Sequence, residues 1–156
     1  MYQYILDHLP NKSSFRFVDN ISSLDENGIT GDYTLRENAF FYEDHFIGNP
    51  VTPGVILTEI MAQIGLQSLG IYLILNGLKE IKKDGDRTLF PLLTATDVSF
   101  YKIVLPGQKV TVISKKEFFR FGKLKCYVEM LDENKDLVAK GMLAGIIKGA
   151  AKTKLS

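Results

Sequence analysis

Residues 53–77 read PGVILTEIMAQIGLQSLGIYLILNG, an apolar run whose only charged side chain is Glu59. As a helix this run would be about 37 Å long, enough to cross a bilayer. Its polar residues argue for another setting. Glu59, Gln63 and Gln67 stand four residues apart and share one helical face. A carboxylate inside a membrane is costly and rare. The run is therefore read as a helix buried on nearly all sides within a soluble protein. Thr52 is placed to cap it, Pro53 suits its first helical position, and Asn76-Gly77 ends it.

What surrounds such a helix is strands. Residues 2–9 have helical spacing and stop at Pro10. Phe15 to Ile21 reads as a strand, and Ile29, Gly31, Tyr33 and Leu35 alternate with polar residues across the turn Asp25-Glu26-Asn27-Gly28. Further strands are expected over residues 93–100, 108–119, 123–131 and 137–147, with a polar, charged connection over 78–88. Leu124, Cys126, Val128 and Met130 share one face, whereas 137–147 is apolar on both faces and so is covered on both sides or buried by a partner. One long buried helix and about six strands fit an α+β architecture in which an antiparallel sheet wraps around a central helix, the hot-dog fold.

The chain has 156 residues and a mass of 17.5 kDa. One domain over residues 1–147 is expected, with 148–156 a basic, flexible tail. Hydrophobic residues at 46% exclude a disordered chain. Nineteen basic against eighteen acidic residues give a net charge of +1, which argues against nucleic acid as a partner. Cys126 is the only cysteine, so it has no internal disulfide partner. The N-terminus has no basic segment leading into an apolar run, and a cytoplasmic protein without a membrane span is expected.

Chemistry concentrates in residues 45–63, HFIGNPVTPGVILTEIMAQ. His45 is one of two histidines and a candidate base. Glu59 sits among Ile56, Ile60 and Met61, where desolvation raises a carboxyl's pKa and keeps it able to donate a proton. Gly54 at the helix start lets a ligand oxygen approach backbone N–H groups at the positive end of the helix dipole. Base, acid and oxyanion donor together suit proton abstraction beside a thioester carbonyl.

This segment resembles the signature of the β-hydroxyacyl-acyl carrier protein dehydratases of the FabZ type, His-Phe-Pro-Gly-x-Pro-Val-Met-Pro-Gly followed by a helix with Glu and then Ala-Gln. The matching residues are His45, Phe46, Gly48, Pro50, Val51, Pro53, Gly54, Glu59, Ala62 and Gln63. Phe15 to Asp19 and Phe100 to Gly107 are similar to two flanking segments of the family, so the likeness covers most of residues 9–147. Ile47, Thr52, Ile103 and Gln108 stand where the family usually has Pro, Met, Pro and Asp. These departures point to a relative serving a polyketide, polyene or other specialised acyl chain. Glu at position 59 resembles FabZ more than the FabA branch, which implies dehydration without double-bond isomerisation.

The resemblance implies a hot-dog dimer, or a trimer of such dimers, with His45 of one subunit facing Glu59 of the other. It implies that His45 removes the C2 proton of a 3-hydroxyacyl thioester, the Gly54 N–H polarises the carbonyl, and Glu59 protonates the departing hydroxyl. The Val51 carbonyl would orient the histidine and Gln63 would support the acid. The partner implied is an acyl carrier protein, docking near Lys102 and Arg16, with Arg36 and Lys12 as further candidates. No metal or redox cofactor is implied; the phosphopantetheine arm arrives with the substrate. The rival readings are a hot-dog acyl thioesterase and a non-catalytic acyl-binding protein. The pairing of His45 with Glu59 argues against both.

Overall fold

In the computed structural model, which describes residues 2–77 and 87–151, six strands form one antiparallel sheet. The strands are β1 (Asn20–Asp25), β2 (Gly28–Thr34), β3 (Arg87–Phe100), β4 (Lys109–Arg120), β5 (Lys123–Leu131) and β6 (Leu137–Ala151). Their order across the sheet is β1-β2-β4-β5-β6-β3, which leaves β1 and β3 at the edges. The sheet curls around a central helix, Gly54–Gly77. That helix has the length and composition of a membrane span, but most of its apolar surface lies inside the fold. A short helix, Gln3–His8, precedes the sheet.

Side-chain alternation explains the wrapping. Ile29, Gly31 and Tyr33 of β2 point inward, as do Leu124, Cys126, Val128 and Met130 of β5, all four of which are fully buried. They meet Ile60, Met61, Ile64, Leu66, Leu69 and Ile71 of the helix, each essentially inaccessible to solvent. Each such side chain contributes roughly 1.5–3 kcal/mol by leaving water. The β1–β2 turn is set by Asp25, whose Oδ1 accepts hydrogen bonds from the N–H groups of Asn27 and Gly28. The β4–β5 hairpin turns at Phe121 and Gly122, both at positive φ.

The structure departs from the sequence expectations in four places. Residues 15–21 are not a continuous strand. A 3₁₀ turn at Ser13–Phe15 comes first, and β1 begins only at Asn20. The reason lies in the helix: the Phe17 N–H and the Phe15 carbonyl are both taken by the Gln63 side chain rather than by a neighbouring strand. β3 starts at Arg87, not 93, and β6 runs on to Ala151. Residues Lys148 to Ala151, assigned to a flexible tail, instead pair with Phe90 to Arg87. Residues 152–156, and 78–86 of the charged connection, lie outside the described residues. Finally, Pro53, not Thr52, occupies the cap position of the central helix, and Gly54 is its first helical residue.

Candidate active site

The loop between β2 and the central helix is built on aromatic rings. Phe17 packs edge-on against Tyr33 and Phe41, and Phe41 against Tyr42. Tyr42 is buried, and its hydroxyl lies 2.6 Å from the Thr52 hydroxyl. That pair, missed from the sequence, explains why Thr52 does not cap the helix: its oxygen is used to close the loop. The Thr52 N–H in turn donates to the buried Val104 carbonyl at 2.9 Å. The loop is thereby pinned on both sides of the segment that carries His45.

His45 is half-buried. Its Nδ1 lies 2.9 Å from the Val51 carbonyl, so Nδ1 carries the proton and donates. In the neutral ring this tautomer puts the lone pair on Nε2, the form a general base requires. The Val51 N–H donates back to the His45 carbonyl at 2.8 Å. The His45 ring stacks on Phe46 with centroids 4.2 Å apart. Phe46 and Asn49 exchange backbone hydrogen bonds around Gly48, whose φ of +68° would strain any other residue.

At the helix start, the Ile56 and Leu57 N–H groups both bond the Pro53 carbonyl. The Gly54 and Val55 N–H groups have no carbonyl partner among the described residues, and they sit at the positive end of a long dipole. The Phe100 ring lies over Gly54, 3.4 Å from where a Cβ would be. One turn further on, Glu59 is half-buried. Burial pushes its pKa above the usual carboxylate value, opposed by hydrogen bonds from Gln63 and Gln67. Gln63 is fully buried. Its Nε2 donates to Glu59 Oε1 at 2.9 Å and to the Phe15 carbonyl at 2.9 Å, and its Oε1 accepts from the Phe17 N–H at 2.7 Å. Glu59 is thus tied through one amide to the segment that leads into β1.

Within one chain, no hydrogen bond or ion pair joins His45 to Glu59 among the described residues. Around them lie apolar side chains open to solvent: Phe46, Ile47, Val55, Phe100 and Ile103. The two expected docking residues have other engagements. Arg16 donates through Nη2 to the Leu6 and Leu9 carbonyls at 2.7 and 3.2 Å, satisfying the end of the first helix. Lys102 is paired with Asp132 and, at 3.0 Å, with Asp136. Arg16 thus keeps its charge, bonded to carbonyls and not to a carboxylate, whereas Lys102 sits in an exposed ion pair. Arg36 is likewise committed, to Asp19. Among the described residues no three His, Cys, Asp or Glu side chains are grouped to hold a metal ion.

Comparison with known proteins agrees with this geometry. The FabA-like domain model matches residues 9–141. The 3-hydroxyacyl-[acyl-carrier-protein] dehydratase FabZ of Caldicellulosiruptor saccharolyticus is 31% identical over 92% of this chain and 96% of its own. That of Lactobacillus helveticus is 31% identical over 83% and 82%. Among solved structures, the dehydratase heterocomplex ApeI:P from Xenorhabdus doucetiae superposes with a TM-score of 0.71 at 13% identity, covering 92% of this chain and 90% of that one. A matched domain spanning most of the chain, with near-full-length relatives, places this protein in the FabA-like family.

Proposed function

We propose that this protein is a 3-hydroxyacyl-[acyl-carrier-protein] dehydratase, converting a 3-hydroxyacyl thioester to the trans-2-enoyl thioester and water. The observation that carries the reading is the pairing of states. His45 has its Nδ1 proton fixed on the Val51 carbonyl and a free Nε2, while Glu59 is biased by burial toward its protonated form. In the elimination, Nε2 takes the C2 proton, and the developing enolate oxygen is met by the Gly54 N–H at the helix start. Glu59 gives its proton to the C3 hydroxyl as the C–O bond breaks. The enolate collapses to the C2–C3 double bond, so His45 ends protonated, Glu59 ends as carboxylate, and water departs. A proton returned from His45 to Glu59 resets the site.

The working unit is a dimer. β3 is a fourteen-residue edge strand whose outer backbone groups have no partner strand among the described residues. Leu93 and Phe100 on that strand, with Ile47 and Val55 beside the site, are exposed. Pairing two β3 strands would cover both and bring His45 of one subunit toward Glu59 of the other. The departures at Ile47 and Ile103 fall on the exposed apolar rim of the site, and a substrate with a specialised acyl chain fits them.

The acidic carrier protein has a further basic surface besides Lys102 and Arg16. At the tip of the β4–β5 hairpin Arg120, Phe121 and Lys123 are all exposed, and Phe121 is fully so.

The test is turnover of a carrier-borne 3-hydroxyacyl thioester, with products resolved by mass. Loss of water by the wild type, and by neither His45→Ala nor Glu59→Gln, is expected. Release of free acid would overturn the reading in favour of a thioesterase. Co-refolding the two inactive variants should restore about a quarter of the activity, because a mixed dimer regains one intact site of two. No recovery would place both groups of each site in one subunit.

A further inference from the structure

The central helix changes form one turn after Glu59. It is α-helical over Gly54–Ala62, π-helical over Gln63–Ser68, and α-helical again over Leu69–Gly77. All six residues of the π segment are buried. Two hydroxyls hold it. Ser68 Oγ donates at 2.7 Å to the Gln63 carbonyl, five residues back, and Ser114 Oγ reaches across from β4 to the Gly65 carbonyl, also at 2.7 Å. A π turn is wider than an α turn, and the sheet leaves room for it. A methyl group on Gly31 of β2 would lie 2.9 Å from Ile64, and one on Gly145 of β6 would lie 2.8 Å from Leu66.

The wider turn has a geometric consequence. In a regular α-helix each residue advances 100°, so a residue eight positions on lies about 80° away from the first. A turn closed by i→i+5 bonds holds more residues and takes back part of that rotation. Gln67 therefore returns toward the face of Glu59 with its side chain buried, which sets a second amide on the side of the carboxyl that Gln63 already holds at 2.9 Å.

We propose that the π turn Gln63–Ser68, held by the Ser68 and Ser114 hydroxyls, is a positioning device for the Glu59 carboxyl, and that Gln67 is a further positioning residue delivered by it. This rests on the reading of Glu59 as the acid. Gln63 alone anchors one carboxylate oxygen. A second amide brought to that face by the π turn limits the carboxyl's rotation and stabilises the carboxylate left after proton transfer.

The test reads Glu59 directly, without substrate. In the full-length protein with ¹³C-labelled glutamate, the Glu59 carboxyl resonance, assigned by its loss in Glu59→Gln, is titrated in wild type, Gln67→Met and Ser114→Ala. Both variants are expected to move its midpoint upward, because hydrogen bonds to the charged form are lost. Ser114→Thr, which keeps the hydroxyl, should restore it. In turnover, Gln67→Met should lower kcat roughly ten- to a hundredfold with KM little changed. An unmoved Glu59 midpoint in both folded variants would overturn the proposal. If Gln67→Met does not fold, Ser114→Ala, which removes one oxygen from a strand, carries the test. Failure of the wild type to dehydrate any thioester would instead sink the functional reading and leave the titration result standing.

Discussion

At Glu59, function and stability pull in opposite directions. Burial raises its pKa, so the folded chain holds this proton more tightly than the unfolded chain does. Ionising Glu59 therefore opposes folding. Stability is full below the ordinary carboxylate pKa, falls as pH rises through the raised folded value, and then levels off. Glu59→Gln removes that loss. Its Tm should exceed the wild type's at pH 8, and the gap should close as pH falls toward 4, while activity drops at least a hundredfold. A melting series across that range checks it; a variant less stable at every pH would contradict the argument. The contacts of His45 with Val51 and of Glu59 with Gln63 were legible in the sequence because a motif compresses these residues into nineteen positions. Tyr42 and Thr52 were not, since a hydroxyl pair across a loop leaves no spacing rule. The surroundings of Arg16 and Lys102 were hidden for a related reason: sequence shows a charge but not the carbonyls or carboxylates that bond it.

Elements were legible where burial is one-sided. β5 and the β1–β2 hairpin followed from alternation and turn residues, and the central helix from its composition. The start of β3 was hidden by Pro91, which reads as a break but is tolerated on an edge strand. The π turn was hidden because a four-residue spacing of polar side chains suits either helical form. How closely β3 and β6 approach was also invisible, and it carries a prediction. A Cβ on Gly141 of β6 would lie 1.9 Å from the Asp97 carbonyl oxygen and 2.7 Å from the Val98 Cα, both backbone atoms of β3. Backbone has no rotamer by which to yield, so Gly141→Ala must part the ladder. A loss of about 1–3 kcal/mol is expected, lowering Tm by roughly 2–12 °C. Because β3 is also the proposed dimer edge, the variant should dissociate at concentrations where the wild type stays paired. Unchanged melting and sedimentation would show that β3 moves freely against β6.

For the whole molecule, a net charge of +1 conceals an uneven surface. Two cations in or near the segments similar to the family's flanking segments are ion-paired: Lys102 with Asp132 and Asp136, and Arg36 with Asp19. Exposed basic residues instead stand at the β4–β5 tip, where Arg120 and Lys123 flank a fully exposed Phe121. Apolar residues on a tip at positive φ are unfavourable in a free monomer, where Gly or Asn would cost less. A partner that covers the ring and answers the charge removes that penalty, and an acidic carrier protein does both. If so, reversing the charges should weaken docking and spare chemistry. Arg120→Glu combined with Lys123→Glu should raise KM for the carrier-borne substrate about tenfold or more at low salt. It should leave kcat/KM for the same acyl group on N-acetylcysteamine unchanged, because that small thioester reaches the site without touching the tip. The wild type's KM for the carrier-borne substrate should rise with salt toward the variant's. Equal losses on both substrates would mean that the tip supports the fold rather than the partner.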